Sequence, residues 1–309
     1  MAVIAVVFPG QGSQYVGMGQ AFFEASAAAR DIFAAAEAAS GLDIPRLCFQ
    51  GPMDELTQTV NLQPAVVAVD LVCWQAIADT GIQVAAVAGH SLGEYPALVA
   101  AGAMNPRRCL ELVSLRGRLM DRDARANPGA MAAVMGLSPE EVEAICAEVD
   151  GVVQPANFNT PVQTVITGEK EAVAAAAALV KERGKKVIPL KVSGAWHSPL
   201  MAAAGRDMAQ ALAELPLTPM NRTLVSNATG QPTRRAPDAH QAIMDQLTSP
   251  VRWVQSVQAM LDMRVDTFIE AGPKTVLTGL IKKIAPRDVK VLSVENPAGI
   301  DSLREALDI

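Results

Sequence analysis

The chain has 309 residues and a formal net charge of −6; half of its residues are hydrophobic, but only 4% are aromatic. A chain of this length folds as one large domain or two unequal ones, and its negative charge argues against general nucleic-acid binding. We expect no membrane span, because no apolar run reaches about 18 residues without a charge or a turn signal.

The N-terminal part alternates predicted strands and helices. In chain order these are a strand over 2–8, a glycine-rich loop over 9–19, helices over 20–40 and 63–80, and a strand over 83–88. The first segment is apolar but lacks a basic leader, so we interpret it as a strand and not as a signal peptide. Such alternation predicts a parallel sheet covered by helices.

The middle of the chain follows a different pattern. After a helix over 106–123 come a strand over 130–136, a helix from Ser138, two strands within 152–168, a helix over 169–183 and a strand over 186–192. From the strand at 130 onward, the order β-α-β-β-α-β is the ferredoxin-like signature. We therefore predict a ferredoxin-like small domain over 128–192, inserted into an α/β-hydrolase-like parallel-sheet domain formed by 1–127 and 193–309. The larger domain resumes with a helix over 198–215 and strands near 223–228, 267–271 and 289–294.

The pentapeptide Gly89-His90-Ser91-Leu92-Gly93 connects a predicted strand to a predicted helix. Glycines on both sides lack the Cβ atoms that would clash where the backbone doubles back, so Ser91 can take a strained, exposed position. Its hydroxyl then lies at a helix N-terminus, where N–H groups and the helix dipole favour negative charge. We interpret Ser91 as an acyl-transfer nucleophile; the alternative is an ordinary glycine-rich turn.

A serine hydroxyl needs a base to remove its proton, and His197 is the best candidate. It lies between a predicted strand end and a helix that begins with Ser198-Pro199. A histidine packed beside Trp196 is an equal alternative. We interpret His90 as structural and His240, in a polar stretch, as solvated. No Asp or Glu between Ser91 and His197 stands in a strand-end loop of the main sheet, so no catalytic carboxylate is predicted.

Arg116 falls within an apolar stripe of the helix over 106–123. At helical spacing this stripe contains Cys109, Leu112, Val113, Leu119 and Met120. A guanidinium among apolar neighbours is costly unless it meets an anion. Two interpretations are equally open: a protein carboxylate pairs with Arg116, or a substrate carboxylate binds it in a bidentate fork.

The loop Phe8-Pro9-Gly10-Gln11-Gly12-Ser13-Gln14 follows the first strand. Its glycines allow a tight turn that points N–H groups into a cleft, so it is a candidate source of an oxyanion-hole donor opposite the one from Leu92. The alternative is a plain β-α turn. The loop contains neither the dinucleotide-binding pattern G-x-G-x-x-G nor a Walker A sequence.

The cysteines and histidines do not form a metal-binding pattern. The four cysteines (Cys48, Cys73, Cys109 and Cys146) contain no C-x-x-C pair, and the three histidines are far apart. We therefore expect no metal site. Buried thiols in a reducing cytoplasm are the simpler interpretation.

Taken together, six motifs resemble the malonyl-CoA:acyl carrier protein transacylases, the acyltransferases of fatty acid and polyketide synthesis. The motifs are Phe8-Pro9-Gly10-Gln11-Gly12-Ser13-Gln14, Gly89-His90-Ser91-Leu92-Gly93-Glu94, Leu115-Arg116-Gly117, Gly129-Ala130-Met131-Ala132-Ala133, Asn157-Phe158-Asn159 and Trp196-His197-Ser198-Pro199. Their order and their spread along nearly the whole chain, including the inserted part, make the resemblance specific.

The resemblance implies a ping-pong transfer. Ser91 would attack the malonyl thioester with His197 as base, and the phosphopantetheine thiol of the carrier protein would then take the acyl group. The backbone N–H groups of Gln11 and Leu92 would hold the oxyanion, and Arg116 would bind the malonyl carboxylate. In this family a backbone carbonyl orients the histidine, and the matching segment 246–251 assigns that role to Gln246. The resemblance also implies a pocket formed by Trp196, Met120, Asn157 and Asn159.

The same resemblance sets the expected partners. We expect malonyl-CoA and an acyl carrier protein as partners, no further cofactor, no nucleic acid, no membrane, and a cytoplasmic monomer. Basic pairs such as Lys282-Lys283 are candidates for meeting an acidic carrier protein, with a solvated face as the alternative. A dedicated acyltransferase of a polyketide synthase or malonate decarboxylase system is a close rival, and a serine thioesterase or esterase a more distant one.

Overall fold

The computed structural model describes residues 2–309; Met1, with which the predicted large domain begins, lies outside them. The strands are β1 (Ile4–Phe8), β2 (Val84–Gly89), β3 (Gly129–Met135), β4 (Val153–Thr160), β5 (Gln163–Glu169), β6 (Lys186–Pro189), β7 (Thr223–Val225), β8 (Pro232–Thr233), β9 (Thr267–Ala271) and β10 (Lys290–Val294). The helices are α1 (Gln20–Ala25), α2 (Ala27–Ser40), α3 (Ile44–Phe49), α4 (Met53–Thr57), α5 (Thr59–Ala78), α6 (Glu94–Ala100), α7 (Pro106–Ala126), α8 (Pro139–Ala147), α9 (Lys170–Glu182), α10 (Ala202–Ala213), α11 (Ala236–Asp245), α12 (Trp253–Asp262), α13 (Val276–Ile281) and α14 (Pro297–Leu307).

The larger sheet has six strands in the order β10-β9-β1-β2-β7-β8. Adjacent strands of this sheet pair in parallel, except that β8 is antiparallel to β7. Both faces of the central strands are buried. In β1, Val6 and Phe8 join the core on one face, and Ala5 and Val7 join a second core on the other. This two-sided burial is typical of parallel sheets with helices on each side, as the sequence predicts.

The smaller sheet is antiparallel, with strand order β4-β5-β3-β6. Its elements follow one another as β3-α8-β4-β5-α9-β6, which is the predicted β-α-β-β-α-β order. Helices α8 and α9 cover one face and form a separate apolar core with β3 and β5. Ser138 begins α8 with a capping box: its side chain accepts from the Glu141 N–H, and the Glu141 carboxylate accepts from the Ser138 N–H. The predicted fold class is therefore confirmed, whereas the boundaries at 127/128 and 192/193 stay a prediction.

Several predicted elements differ from the structure in extent. The single helix expected over 20–40 is two helices, because Ser26 adopts an extended conformation and its hydroxyl caps α2 at the Ala29 N–H. The strand expected over 186–192 ends at Pro189, and that over 223–228 ends at Val225. The helix expected over 198–215 begins with a 3₁₀ turn before α10.

Helix α5 runs through the middle of the larger core. It has the length and hydropathy of a membrane span, but 83% of its most apolar window is buried inside the protein. It is therefore a core helix of this fold. The four cysteines are free and buried, as expected.

Two contacts join the small sheet to the segment that follows α11. The Phe158 N–H of β4 donates to the Val251 carbonyl (2.9 Å), and the Val251 N–H donates to the Ala156 carbonyl (2.8 Å). The result is a short parallel bridge between Asn157 and Val251. The residues just before Val251 are those expected to orient His197.

Candidate active site

Ser91 lies on a tight turn between β2 and α6. Its backbone is in the left-handed region, with φ of 52°, which is rare for a residue with a side chain and is found at strained functional positions. A Cβ on Gly89 or Gly93 would overlap backbone atoms, of Gly93 in the first case and of Phe8 in the second. Gly89 is therefore required where the backbone doubles back on itself, as predicted, and Gly93 is required by the close approach of the turn to β1.

The strained turn is held by Asn227, a residue that no sequence pattern identifies. The Ser91 N–H donates to its Oδ1 (2.6 Å), and its Nδ2 donates to the Gly89 carbonyl (2.5 Å). Asn227 follows β7, the neighbour of β2 in the sheet. One side-chain amide thus satisfies backbone groups on both sides of His90, and this offsets part of the strain.

His197 meets the Ser91 hydroxyl. Its Nε2 lies 2.7 Å from Ser91 Oγ, and its own backbone is also left-handed, with φ of 60°. The opposite ring nitrogen, Nδ1, lies 3.1 Å from the carbonyl oxygen of Gln246 and 3.0 Å from that of Ser249. Because carbonyl oxygens only accept, Nδ1 carries the proton and Nε2 is free to accept one from Ser91. Ser249 is an additional partner that was not predicted from the sequence.

The environment keeps His197 neutral. The side chain is only 2% exposed, and burial, aided by the Arg116 charge, lowers the pKa of His197 to about 3. A neutral imidazole in hydrogen-bond contact with a serine hydroxyl has the geometry of a general base.

Arg116 projects from α7 to the same place. Its Nη2 donates to Ser91 Oγ (3.3 Å) and to Gln246 Oε1 (3.2 Å), and its Nη1 donates to Gln63 Oε1 (3.0 Å). The guanidinium lies 5.5 Å from the centre of the Tyr95 ring. Arg116 is only 1% exposed, and Nε has no partner.

No carboxylate of residues 2–309 forms an ion pair with Arg116. The alternative of a structural ion pair is therefore wrong. A buried cation whose hydrogen bonds all go to neutral groups is energetically costly. Burial lowers the pKa of Arg116, and the Glu94 charge, which forms no ion pair with it, opposes this shift. The position of Arg116 beside the Ser91 hydroxyl makes it a candidate binding site for an anionic group of a substrate.

The space in front of Ser91 is a cavity of about 100 Å³. Its lining contains most of the predicted site residues and several others: Gln11, His90, Ser91, Leu92, Arg116, Met120, Met131, Asn157, Leu190, Val192, Trp196 and His197. Asn159 is the exception among the predicted pocket residues. It lies behind the cavity wall, where its Oδ1 contacts His90 Nε2 at 2.8 Å.

The loop after β1 packs directly on the serine turn. A Cβ on Gly10 would lie 2.5 Å from the His90 carbonyl oxygen, so Gln11 is brought to the rim of the same cavity as Leu92. His240 is not solvated as expected; it is half-buried, with Nε2 2.9 Å from the Leu212 carbonyl. Within residues 2–309 no cluster of three or more His, Cys, Asp or Glu side chains has a metal-binding arrangement.

The serine turn, the neutral histidine and the adjacent buried cation form an arrangement that is suited to transferring or hydrolysing acyl groups that bear a negative charge. Residues 5–295 match the family model described as the acyl transferase domain. The chain belongs to this family.

Individual relatives are similar over almost their full length. The chain is 38% identical over 305 residues to the malonyl CoA-acyl carrier protein transacylase of Bacillus subtilis (strain 168), covering 97% of this chain and 96% of the relative. The crystal structure of an acyl carrier protein S-malonyltransferase from Vibrio cholerae has a TM-score of 0.93 and 40% identity, and the match covers 97% of this chain and 99% of that one. A malonyl-transacylase solved in complex with its type II polyketide synthase acyl-carrier protein has a TM-score of 0.94 and 36% identity, with 99% and 100% covered.

Proposed function

We propose that the protein transfers a malonyl group from malonyl-CoA, through an acyl-enzyme on Ser91, to the phosphopantetheine thiol of an acyl carrier protein for fatty acid biosynthesis. The observation that carries the proposal is the buried Arg116 guanidinium, 3.3 Å from Ser91 Oγ and without a protein carboxylate. A malonyl thioester has a free carboxylate one carbon away from its reacting carbonyl. This group fits a cation that lies directly beside the nucleophile.

In the first half-reaction, Ser91 Oγ attacks the thioester carbonyl while its proton passes to His197 Nε2. The new C–O bond forms and the C–S bond breaks, and the proton on Nε2 goes to the leaving coenzyme A sulfur. In the second half, the carrier thiol gives its proton to Nε2 and attacks the ester carbonyl. The C–S bond forms again, the C–O bond breaks, and Ser91 recovers its proton.

The two carbonyls of Gln246 and Ser249 take the place of the carboxylate found behind the histidine of serine hydrolases. They fix the tautomer and orientation of His197, but they provide no full negative charge to stabilise an imidazolium. A thioester is already reactive, so weaker activation is sufficient. This arrangement favours an enzyme that transfers the acyl group from one thiol to another over a serine esterase that transfers it to water.

Gln11 and Leu92 are our candidates for the oxyanion hole. Their backbone N–H groups belong to the two segments that meet at Gly10, and both residues line the cavity together with Ser91. Donors fixed in this way stabilise the charge that develops on the carbonyl oxygen in the transition state.

The cavity favours a short acyl group. Trp196 and Met120 line its volume of about 100 Å³, and we expect the large indole to leave little room for a branch on the α-carbon. Asn157, on β4 of the small sheet, completes the wall. We therefore assign malonyl in preference to α-branched acyl groups.

We further propose a cytoplasmic monomer that needs no cofactor other than the coenzyme A of its substrate. Its remaining partner is the carrier protein, and neither a nucleic acid nor a membrane takes part. The basic pair Lys282-Lys283, exposed at the end of α13, is a candidate contact for an acidic carrier protein.

Intact-mass analysis tests the proposal. Mixing with malonyl-CoA should add one malonyl group, Ser91→Ala should remain unmodified, and addition of a phosphopantetheinylated carrier protein should remove the group from the enzyme and place it on the carrier. Rapid release of free malonate in the absence of carrier would instead identify a hydrolase. Failure to form the adduct would refute the proposal.

A further inference from the structure

A buried carboxyl group lies three residues after Ser91 and takes no direct part in the reaction. Glu94 begins α6 and is 0% exposed. One of its oxygens accepts from the Asn227 backbone N–H (3.1 Å), and the other accepts from Gln246 Nε2 (2.7 Å). Both neighbours are donors, so they match a carboxylate, which only accepts.

The Gln246 side chain connects Glu94 to the reacting groups. Its Nε2 also donates to the Ser91 carbonyl (2.8 Å), and its Oε1 accepts from Arg116 Nη2 (3.2 Å). The two ends of an amide are nearly equal in size, so hydrogen-bond partners decide which end faces which neighbour. Glu94 and the Ser91 carbonyl are both acceptors on one end, and Glu94 is the charged one, so it makes the larger contribution to placing the nitrogen on that side.

We propose that Glu94 is a positioning residue for acyl selectivity: its carboxylate orients the Gln246 amide so that Oε1 holds the Arg116 guanidinium beside Ser91. The inference rests on the proposed malonyl transfer. His197 is held by the backbone carbonyl of Gln246 and not by its side chain. The orientation of the amide therefore affects the carboxylate-binding group and leaves the base in place.

Glu94→Gln keeps the size of the side chain but removes its charge and replaces one of its two acceptor oxygens with an NH₂ donor. The Asn227 donor is a backbone N–H and cannot rotate, so the one oxygen that the substituted side chain retains faces it. The new NH₂ group then faces Gln246 Nε2, donor against donor. Turning the Gln246 amide round would relieve this contact, but it would set Oε1 against the Ser91 carbonyl and the NH₂ group against Arg116. Whether it is displaced or turned, the Gln246 amide becomes a poorer acceptor for Arg116, and the guanidinium loses the hydrogen bond that holds it.

The test compares the rates of Ser91 acylation by malonyl-CoA and by acetyl-CoA, which lacks the carboxylate, at pH 8. For Glu94→Gln we expect the ratio of malonyl to acetyl kcat/KM to fall about tenfold, the size of one hydrogen bond to a charged group, while the acetyl rate stays within about twofold of the unaltered protein. Glu270→Gln is the matched control. Glu270 is also 0% exposed, but its carboxylate accepts from the Leu277 and Thr278 N–H groups of α13, and its ratio should not change.

An unchanged ratio in Glu94→Gln, or an equal loss of both rates as in a general structural defect, overturns the inference. If Glu94→Gln does not fold, the same ratio in Gln246→Met decides: a loss of about tenfold supports the inference, and an unchanged ratio overturns it. Failure of the proposed function has a different signature, since the unaltered protein would then form no malonyl adduct at all.

Discussion

Arg116→Ala should remove the preference for malonyl without disabling Ser91. In the structure the guanidinium uses its Nη atoms on Gln63, Gln246 and Ser91. A substrate carboxylate would accept two charge-assisted hydrogen bonds of about 1.5–3 kcal/mol each. The carboxylate would replace part of the existing hydrogen bonding of Arg116 to Gln63 and Gln246, so the net gain in binding free energy is about 3 kcal/mol. That corresponds to roughly a hundredfold in kcat/KM for malonyl-CoA.

The assay is Ser91 acylation by malonyl-CoA and acetyl-CoA, followed by intact mass over time. Acetyl-CoA is the internal standard, because it has no carboxylate to lose. Arg118→Ala is the control variant, since Arg118 lies on the same helix but is exposed. An unchanged malonyl-to-acetyl ratio in Arg116→Ala, or the same fall in Arg118→Ala, would refute the assignment of Arg116 to the carboxylate.

Three further predictions concern the turn, the pocket and pH. Gly93→Ala should lower the free energy of unfolding, measured by chemical denaturation, by about 3 kcal/mol, because the added Cβ would overlap the Phe8 carbonyl. Gly279→Ala is the control and should not destabilise the protein, because nothing lies within 4 Å of the added methyl group. Trp196→Phe should raise the rate of acylation by an α-methyl-branched malonyl thioester about fourfold, which corresponds to the free energy of burying one additional methyl group. An unchanged rate would show that Trp196 does not limit the size of the pocket. The rate of acetylation should be constant from pH 5 to 8, because the pKa of His197 is lowered to about 3. The malonyl-to-acetyl ratio should instead fall as the pH drops through about 7, because burial raises the pKa of Glu94 to about 7 and its carboxylate is protonated below that pH. The other ionisable groups facing Glu94 keep their charge there, since Arg116 stays protonated and burial raises the pKa of Tyr95 to about 12; a constant ratio would contradict this assignment.

The sequence was informative where the chemistry depends on local backbone geometry. The glycines around Ser91, the apolar stripe around Arg116 and the strand-to-helix position of His197 are all properties of short segments. Ser91, Arg116 and His197 all line the cavity. The β-α-β-β-α-β order was predictable for the same reason, because each element has its own periodicity and turn signals.

The parts that could not be predicted depend on contacts between distant segments. Gln63 meets Arg116, and Asn227 meets Ser91, across long stretches of chain, and an uncharged amide in a buried helix or loop gives no signal of its partner. The break at Ser26 was missed because serine is acceptable in a helix interior as well as at a cap. Strand β6 ends at Pro189, the last residue of its ladder with β3, although β3 continues to Gly129 and the Leu190 N–H still donates to the Met131 carbonyl.

The bridge between β4 and Val251 has a consequence for how the cleft accommodates its substrates. The segment 246–251 carries the two carbonyls that hold His197, and Gln154 of β4 donates to the His197 carbonyl at 3.0 Å. His197 is thus attached to the small sheet, while Ser91 belongs to the large one. The segment that holds the imidazole is also bound to the large sheet, because Gln246 Nε2 donates to the Ser91 carbonyl (2.8 Å) and Val251 packs in the core with β1 and β2. The two sheets therefore fix the imidazole from both sides, and the distance between base and hydroxyl is set before a substrate enters.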